Sequence, residues 1–223
     1  IGDDFLLSCF EDSKKNKWFG MQRGGVSFFD DKTKRFKTFN GIDKMSFIRA
    51  IMEDSKGNIC FAAQEGVFIY NPISGASQKI VTNTPMLGDY APRTLLEDSK
   101  GNLWVGTYGQ GLYIFDGERK LIKKISTEQG LASNTVNHLL IDRSKNIWIA
   151  TNEGLAVQKF SSEVGQLETI SLPQADGWHT VNALAQDSKG DIWCATRSGL
   201  LRYLPTEKRI LSYDHAFGLP LGG

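Results

Sequence analysis

Apolar and polar positions along this chain follow a pattern that returns five times. Short runs of alternating apolar and polar residues are separated by turns rich in Gly, Asn and Asp. In the third copy the pattern predicts strands at 93–97, 103–107, 112–115 and 120–125, with a tight turn at 98–102. Such alternation, broken by these turn residues, is typical of antiparallel hairpins. No stretch keeps a helical period, so we predict an all-β chain.

The repeat is defined by an Asp that is followed six residues later by a Trp, or by a Cys in the second copy. The steps between the successive Asp residues are 42, 44, 44 and 45 residues. A period of about 44 with strand-like content predicts a β-propeller with one four-stranded antiparallel blade per repeat. The five pairs are Asp12 and Trp18, Asp54 and Cys60, Asp98 and Trp104, Asp142 and Trp148, and Asp187 and Trp193.

Two residues after each Trp position stands a Gly or Ala, on the same face of the second strand. A large residue beside a gap is what neighbouring blades need in order to interlock, so we expect these Trp residues to be core residues. Cys60, which replaces Trp, makes the second blade the thinnest at this layer. We expect the Asp carboxylate to bind backbone donors within its own turn.

The whole chain, residues 1–223, is predicted to form a single propeller domain of five blades. A closed five-bladed ring is the favoured arrangement. An open arc, or assembly with a second copy into a homodimer, is the alternative and would expose apolar blade faces. The predicted blades span about 4–42, 43–87, 88–131, 132–177 and 178–215, and 216–223 is the lead-in of a truncated next repeat.

Composition narrows the choice of partners. The net charge is +1, which gives no electrostatic argument for nucleic acid or an anionic membrane. No apolar stretch is long enough to span a membrane, so we expect no membrane contact by this segment. The three cysteines lack metal-site spacing and lie in predicted strands, where we expect buried free thiols. With three scattered histidines as well, we predict neither a metal nor a cofactor.

The repeat resembles the two-component regulator propeller repeat. The best matches are Glu97–Leu112 and Asp187–Leu200, and Gly130–Asn137 resembles the lead-in segment of that family. The segment Gly218–Pro220 resembles the lead-in of a missing sixth copy. The resemblance implies the extracytoplasmic sensor region of a hybrid two-component system, in the periplasm or outside the cell, that detects carbohydrate fragments. The family often has seven blades in a ring.

The loops that differ between copies indicate where a ligand binds. Propellers bind ligands at one end of the central tunnel, formed by the loops after the second strands and the connections between blades. Aromatic faces, amides and guanidinium groups together suit a sugar, so we predict a small-molecule or oligosaccharide ligand. The predicted ligand-binding residues are Arg23, Arg49, Tyr90, Arg93, Tyr108, Asn137, Trp178, His179, Asn182 and Arg197.

Structural roles remain open for several of these residues. Arg49 and Arg93 could instead bind carbonyl groups in the tunnel, and Trp178 could cap the ring. An enzyme is a second function class, either a propeller glycoside hydrolase with two facing carboxylates or a lyase, with His179 and Glu128 or Glu153 as the candidate residues. A protein-interaction scaffold with a flat apolar surface is a third. No sequence motif of a known catalytic site is present, so a binding module is favoured.

Overall fold

The computed structural model describes residues 5–39, 41–42, 45–80, 91–173 and 178–218. These residues form five four-stranded antiparallel sheets, each of four consecutive strands, and two short 3-10 turns at Thr127–Gln129 and His215–Phe217. The strands are β1 (Leu6–Glu11), β2 (Lys17–Met21), β3 (Val26–Asp30), β4 (Arg35–Thr38), β5 (Ala50–Glu53), β6 (Ile59–Ala63), β7 (Gly66–Tyr70), β8 (Ser77–Lys79), β9 (Pro92–Glu97), β10 (Leu103–Thr107), β11 (Leu112–Phe115), β12 (Leu121–Ile125), β13 (Val136–Ile141), β14 (Ile147–Thr151), β15 (Gly154–Gln158), β16 (Leu167–Ile170), β17 (Val181–Gln186), β18 (Ile192–Thr196), β19 (Leu200–Leu204) and β20 (Arg209–Tyr213).

The prediction of five four-stranded blades is confirmed. In the third blade, β10 and β11 have the predicted bounds. Strand β9 begins one residue early, at Pro92, because the fixed φ of proline is tolerated at the first position of a strand. Strand β12 begins one residue late, at Leu121, because the Lys120 carbonyl closes the hairpin turn by accepting from the Asp116 N–H.

The repeated Asp organises each turn, as predicted. In the third blade, Asp98 Oδ1 accepts from the backbone N–H groups of Lys100 at 2.8 Å and Asn102 at 2.9 Å. Its Oδ2 accepts from Asn102 Nδ2 at 2.8 Å and from Trp104 Nε1 at 2.9 Å. The indole bond adds a function that the sequence did not show: it ties the turn to the core residue of the same blade.

Trp18, Trp104 and Trp148 each pack against the blade that follows their own blade in the chain. Trp104 belongs to a buried cluster with Val136 and Leu139 of the fourth blade. The small residue beside it is required, since a Cβ on Gly106 would lie 2.6 Å from Thr94 Cγ2 and 2.6 Å from Val136 Cγ1. The predicted interlocking of large and small residues is therefore confirmed at this seam.

The five blades form an open arc. Four buried apolar clusters join blades one and two, two and three, three and four, and four and five. The first strands β1, β5, β9, β13 and β17 pack against each other in that order. Within the described residues no buried cluster joins blades one and five, and β1 does not pack against β17 in this way. The favoured closed ring is therefore not formed by the described residues, since blades one and five do not pack against each other.

The two ends of the arc have uncovered faces. Leu7 and Phe36 of the first blade are exposed, and Trp193 of the fifth blade is more exposed than Trp104 or Trp148. Cys60 and Cys194 are buried, and burial raises the pKa of each thiol to about 12. Cys9 is an exposed free thiol, so the expectation of a buried thiol is wrong there, because no blade covers that part of β1.

Candidate functional site

One end of the arc brings the variable loops together. The register pairs Pro92 with Thr107, Val136 with Thr151 and Val181 with Thr196, so each first strand begins beside the end of the second strand. We call this end of the arc the mouth. It contains the loops after the second strands, whereas the Asp turns lie at the opposite end, which we call the turn end. The loops predicted to bind a ligand therefore lie together at the mouth.

Local hydrogen bonds shape the loops of the mouth. Thr107 Oγ1 donates to the Gly111 carbonyl at 2.7 Å and accepts from the Gln110 N–H at 3.1 Å. Gly111 has φ +80°, and a Cβ there would overlap the Ile125 carbonyl oxygen. Only glycine combines this backbone conformation with so close an approach. The bonds of Thr107 and the conformation of Gly111 therefore fix the loop that carries Tyr108.

A hydrogen-bonded network crosses the mouth from the third blade to the fifth. Arg93 Nη1 donates to Asn137 Oδ1 at 2.7 Å. Asn137 Nδ2 in turn donates to Asn152 Oδ1 at 2.9 Å and to the Val181 carbonyl at 2.9 Å. The Arg93 guanidinium lies 5.3 Å from the centre of the Tyr108 ring. Two predicted site residues, Arg93 and Asn137, thus bind each other, and a third lies against the guanidinium.

Arg49 extends this network towards the second blade. Its Nη1 donates to Gln64 Oε1 at 3.2 Å and to the Phe47 carbonyl at 3.4 Å, and its guanidinium lies 5.2 Å from the Phe47 ring centre. Burial lowers the pKa of Arg49, and the positive charge of Arg93 lowers it further. Two neighbouring guanidinium groups therefore make this part of the mouth electropositive.

The alternative that Arg49 and Arg93 bind carbonyl groups in the tunnel agrees with one contact of Arg49 and not with the contacts of Arg93. Arg49 contacts one backbone carbonyl, as the structural interpretation expects, but it also binds the side chain of Gln64. Arg93 binds the side chain of Asn137 and lies against an aromatic ring. Asn137 uses both its oxygen and its nitrogen within the protein, so its first role is to link the three blades.

The other predicted residues lie around this centre. Tyr108 is 50% exposed, with its ring available to solvent. His179 Nε2 lies 3.7 Å from Glu153 Oε2, and both side chains are exposed. Trp178 is partly buried against the core between blades four and five, and its ring lies close to Gly199. Tyr90 lies outside the described residues. Arg23, Asn182 and Arg197 are exposed side chains at the mouth.

Sequence reasoning did not single out Phe47, Gln64 or Asn152. Gln64 and Asn152 stand in the loops assigned to the mouth, but their pairing with Arg49 and Asn137 depends on the distance between strands. Phe47 has φ +47°, a conformation that no sequence signal predicts for a phenylalanine. The amides are visible in the sequence only as polar residues that follow a second strand.

The mouth offers hydrogen-bond donors and aromatic surface. Glu65 is already bound, since its Oε2 accepts from the Ser46 N–H at 3.0 Å and its Oε1 from Ser46 Oγ at 2.6 Å. Within the described part of the chain, no three His, Cys, Asp or Glu side chains converge as a metal site would require. Among the same residues, no helix has the length and apolar character needed to cross a membrane.

Comparison with known proteins identifies the repeat. Residues 86–109 and 130–153 match the family described as the two component regulator propeller. The chain is 27% identical to the extracellular domain of BT3049 of B. thetaiotaomicron, assigned to a hybrid two-component system, with a TM-score of 0.82. The match covers 99% of this chain and 30% of that chain, so the present chain spans about a third of its length. No protein of curated function matches the sequence.

Two further structures share the fold. The extracellular domain of BT4673 of B. thetaiotaomicron is 23% identical, with a TM-score of 0.77 over 96% of this chain and 28% of that one. Virginiamycin B lyase of Staphylococcus aureus is 12% identical, with a TM-score of 0.73 over 94% of this chain and 70% of that one. At these identities the likeness concerns the fold alone.

The five sheets and the family match at residues 86–109 and 130–153 together show that the chain is a five-bladed β-propeller arc that contains repeats of the two-component regulator propeller family.

Proposed function

We propose that this propeller is the ligand-binding part of an extracytoplasmic sensor in a two-component system, and that it binds a carbohydrate fragment at the mouth. The observation that carries the proposal is the grouping of Arg49, Arg93 and Tyr108 at one end of the arc. The likeness to the extracellular domain of BT3049 supports the location and the sensor role.

The side chains favour an acidic sugar. The half-exposed Tyr108 ring offers a flat surface for the C–H face of a pyranose. Arg93 and Arg49 bring two positive charges to the same place, and a guanidinium binds a carboxylate through two parallel hydrogen bonds. A uronic acid residue would meet both demands, whereas a neutral sugar would leave the repulsion between the two arginines unrelieved.

Ligand binding would reach the neighbouring blades through Asn137. A carboxylate on the Arg93 guanidinium competes with Asn137 Oδ1 for the same donors. Asn137 also binds Asn152 of its own blade and the Val181 carbonyl of the fifth blade. A shift of the Asn137 side chain would therefore change how blades three to five are held together. If blades three to five have two arrangements, a ligand that binds one of them more tightly raises the population of that arrangement. Such a population shift is the physical basis of signalling by a sensor domain.

The test is calorimetric titration of the chain with a trisaccharide of uronic acid and with a neutral trisaccharide of the same linkage. We expect the acidic sugar to bind more tightly. Arg93→Ala and Tyr108→Ala should each weaken it about tenfold or more, since each removes a contact that is partly desolvated. Arg209→Ala is the matched control, because this exposed arginine pairs with Glu207 at 2.9 Å at the turn end. Equal binding by the parent and both mouth variants would reject the site.

An enzyme remains the second candidate because His179 and Glu153 approach each other at the mouth. Both side chains are exposed, and water competes with any proton transfer between them. Release of reducing ends or unsaturated products from the bound oligosaccharide, abolished by His179→Ala, would favour the hydrolase or lyase. Binding without any turnover would favour the sensor.

A further inference from the structure

A second cavity lies far from the mouth, in the seam between blades one and two at the turn end. Its volume is about 430 Å³, and its walls include the rings of Trp18, Phe28, Phe39 and Tyr70. The rings pack edge to face: the centre of Phe39 lies 4.7 Å from that of Tyr70 and 5.4 Å from that of Trp18. The volume falls within the range of small-molecule sites, roughly 300–1,000 Å³.

A connecting loop fills the equivalent seam between blades three and four but leaves this seam open. In the seam between blades three and four, the loop 159–166 covers the equivalent Trp104 and leaves a cavity of only about 20 Å³. Gln158 fixes that loop by donating to the Lys159 and Glu163 carbonyls and accepting from the Gly165 N–H. The corresponding loop of the second blade, 71–76, is two residues shorter and lies beside the cavity instead of filling it.

Charged side chains at the rim select the ligand. The carboxylates of Asp12 and Glu53 are occupied by the fold, Asp12 by its own turn and Trp18, and Glu53 by the N–H and Oγ of Ser13 at 2.6 and 2.8 Å. Lys14 and Lys37 also line the cavity, but Lys37 Nζ is already paired with Asp30 Oδ2 at 2.6 Å. Among the described residues Lys14 has no acidic partner, so its positive charge disfavours a cationic ligand and favours a carboxylate at the entrance.

We propose that this seam cavity binds a planar aromatic carboxylate, with its rings against the wall formed by the four aromatic side chains and its carboxylate near Lys14. Offset and edge-to-face contacts between rings favour a flat aromatic guest over an aliphatic chain of the same size. The site is separate from the mouth, since it lies at the turn end. Its occupant therefore need not be the carbohydrate that we propose for the mouth.

Calorimetric titration with naphthoate, naphthylmethanol and naphthylmethylammonium tests the proposal. We expect naphthoate to bind most tightly and the ammonium compound least tightly. Lys14→Ala should weaken naphthoate about twofold to fivefold, as expected for an exposed ion pair, and leave naphthylmethanol unchanged. Tyr70→Leu should weaken both naphthoate and naphthylmethanol, because it removes one aromatic wall.

Two matched variants show whether naphthoate binds in this seam. Lys100→Ala removes the lysine at the same position of the third repeat, where the seam is filled, and should leave naphthoate binding unchanged. Arg93→Ala should also leave it unchanged, which distinguishes the seam from the mouth. The proposal is overturned if none of the three compounds binds, if the ammonium compound binds most tightly, or if Lys100→Ala weakens naphthoate as much as Lys14→Ala does.

Discussion

Replacing Arg119 by Ala should destabilise the protein strongly, because Arg119 takes the place of a missing tryptophan. In the second blade Cys60 has no N–H to offer, and the carboxylate of Asp54 instead accepts from Arg119 Nη2 at 2.5 Å. Arg119 Nη2 also lies 3.3 Å from Glu97 Oε1. In the other four blades the Asp accepts from an indole N–H, in the pairs Asp12 with Trp18, Asp98 with Trp104, Asp142 with Trp148 and Asp187 with Trp193.

The magnitude follows from the burial of this pair. The Arg119 side chain is 7% exposed and the Asp54 side chain 0%. Burial alone would raise the pKa of Asp54, but hydrogen bonds from Asn58 and Arg119 outweigh it and hold that pKa below its usual value. Removing one partner of a buried ion pair costs about 3–5 kcal/mol of unfolding free energy. Arg119 has φ +66°, and alanine carries a comparable backbone penalty there, so this term nearly cancels.

The assay is urea denaturation followed by tryptophan fluorescence. We expect Arg119→Ala to lose about 3–5 kcal/mol, and the Arg119→Ala, Cys60→Trp double variant to recover at least half of it, because the new indole N–H supplies the bond that the other blades have. Cys60→Trp alone should destabilise, since the indole and the guanidinium would compete for one oxygen and one space.

The control is Arg209→Ala in the fifth blade. That arginine is 59% exposed and pairs with Glu207 at 2.9 Å, so its loss should cost less than about 1 kcal/mol. The reasoning is refuted if Arg119→Ala costs as little as Arg209→Ala, or if the effects of Cys60→Trp and Arg119→Ala simply add.

Two further predictions concern the seams between blades, and a third concerns a buried histidine. Trp148→Ala should cost about 3–5 kcal/mol, whereas Trp193→Ala should cost at least about 1 kcal/mol less, because the first is 1% exposed within a seam and the second lies on an uncovered face; equal losses in urea denaturation would contradict the open arc. Gly106→Ala should cost about 1–3 kcal/mol because its Cβ would lie 2.6 Å from two side chains, while Gly117→Ala, with its nearest atom at 3.9 Å, should change the melting temperature little. Burial lowers the pKa of His138, so the unfolded chain takes up a proton near pH 6.5 before the folded chain does. Stability should therefore be complete above about pH 6.5 and fall below it, and His138→Leu should reduce the loss between about pH 7.5 and about pH 5.5 in urea denaturation.

Much of each blade was predictable because its strands and turns are specified by neighbouring residues. The spacing from Asp98 to Trp104 predicted the turn and the second strand, and the structure closes that turn with bonds inside one repeat. Gly111 marked the loop that brings Tyr108 to the mouth. These features need only a few consecutive residues, so a single sequence contains their signal.

The candidate site was predictable in its place but not in its connections. Arg49, Arg93 and Asn137 were among the predicted ligand-binding residues, and the structure links Arg93 with Asn137. The bond from Asn137 to Asn152 joins a strand to a loop of the same blade 15 residues away, and that from Arg93 to Asn137 joins two blades across 44 residues. The second bond depends on how far apart two blades are held, which no local pattern encodes.

By itself, the sequence determined the repeat, the four strands of each blade, the hydrogen-bonded Asp turn and the end of the molecule where the variable loops meet. Only the tertiary structure decided that five blades make an arc instead of a ring, that Arg119 replaces the absent tryptophan at Cys60, and that one seam keeps a cavity lined by aromatic rings. The first group rests on hydrogen bonds and alternation within a repeat. The second rests on the packing of side chains between repeats, which acts only when the blades are in contact.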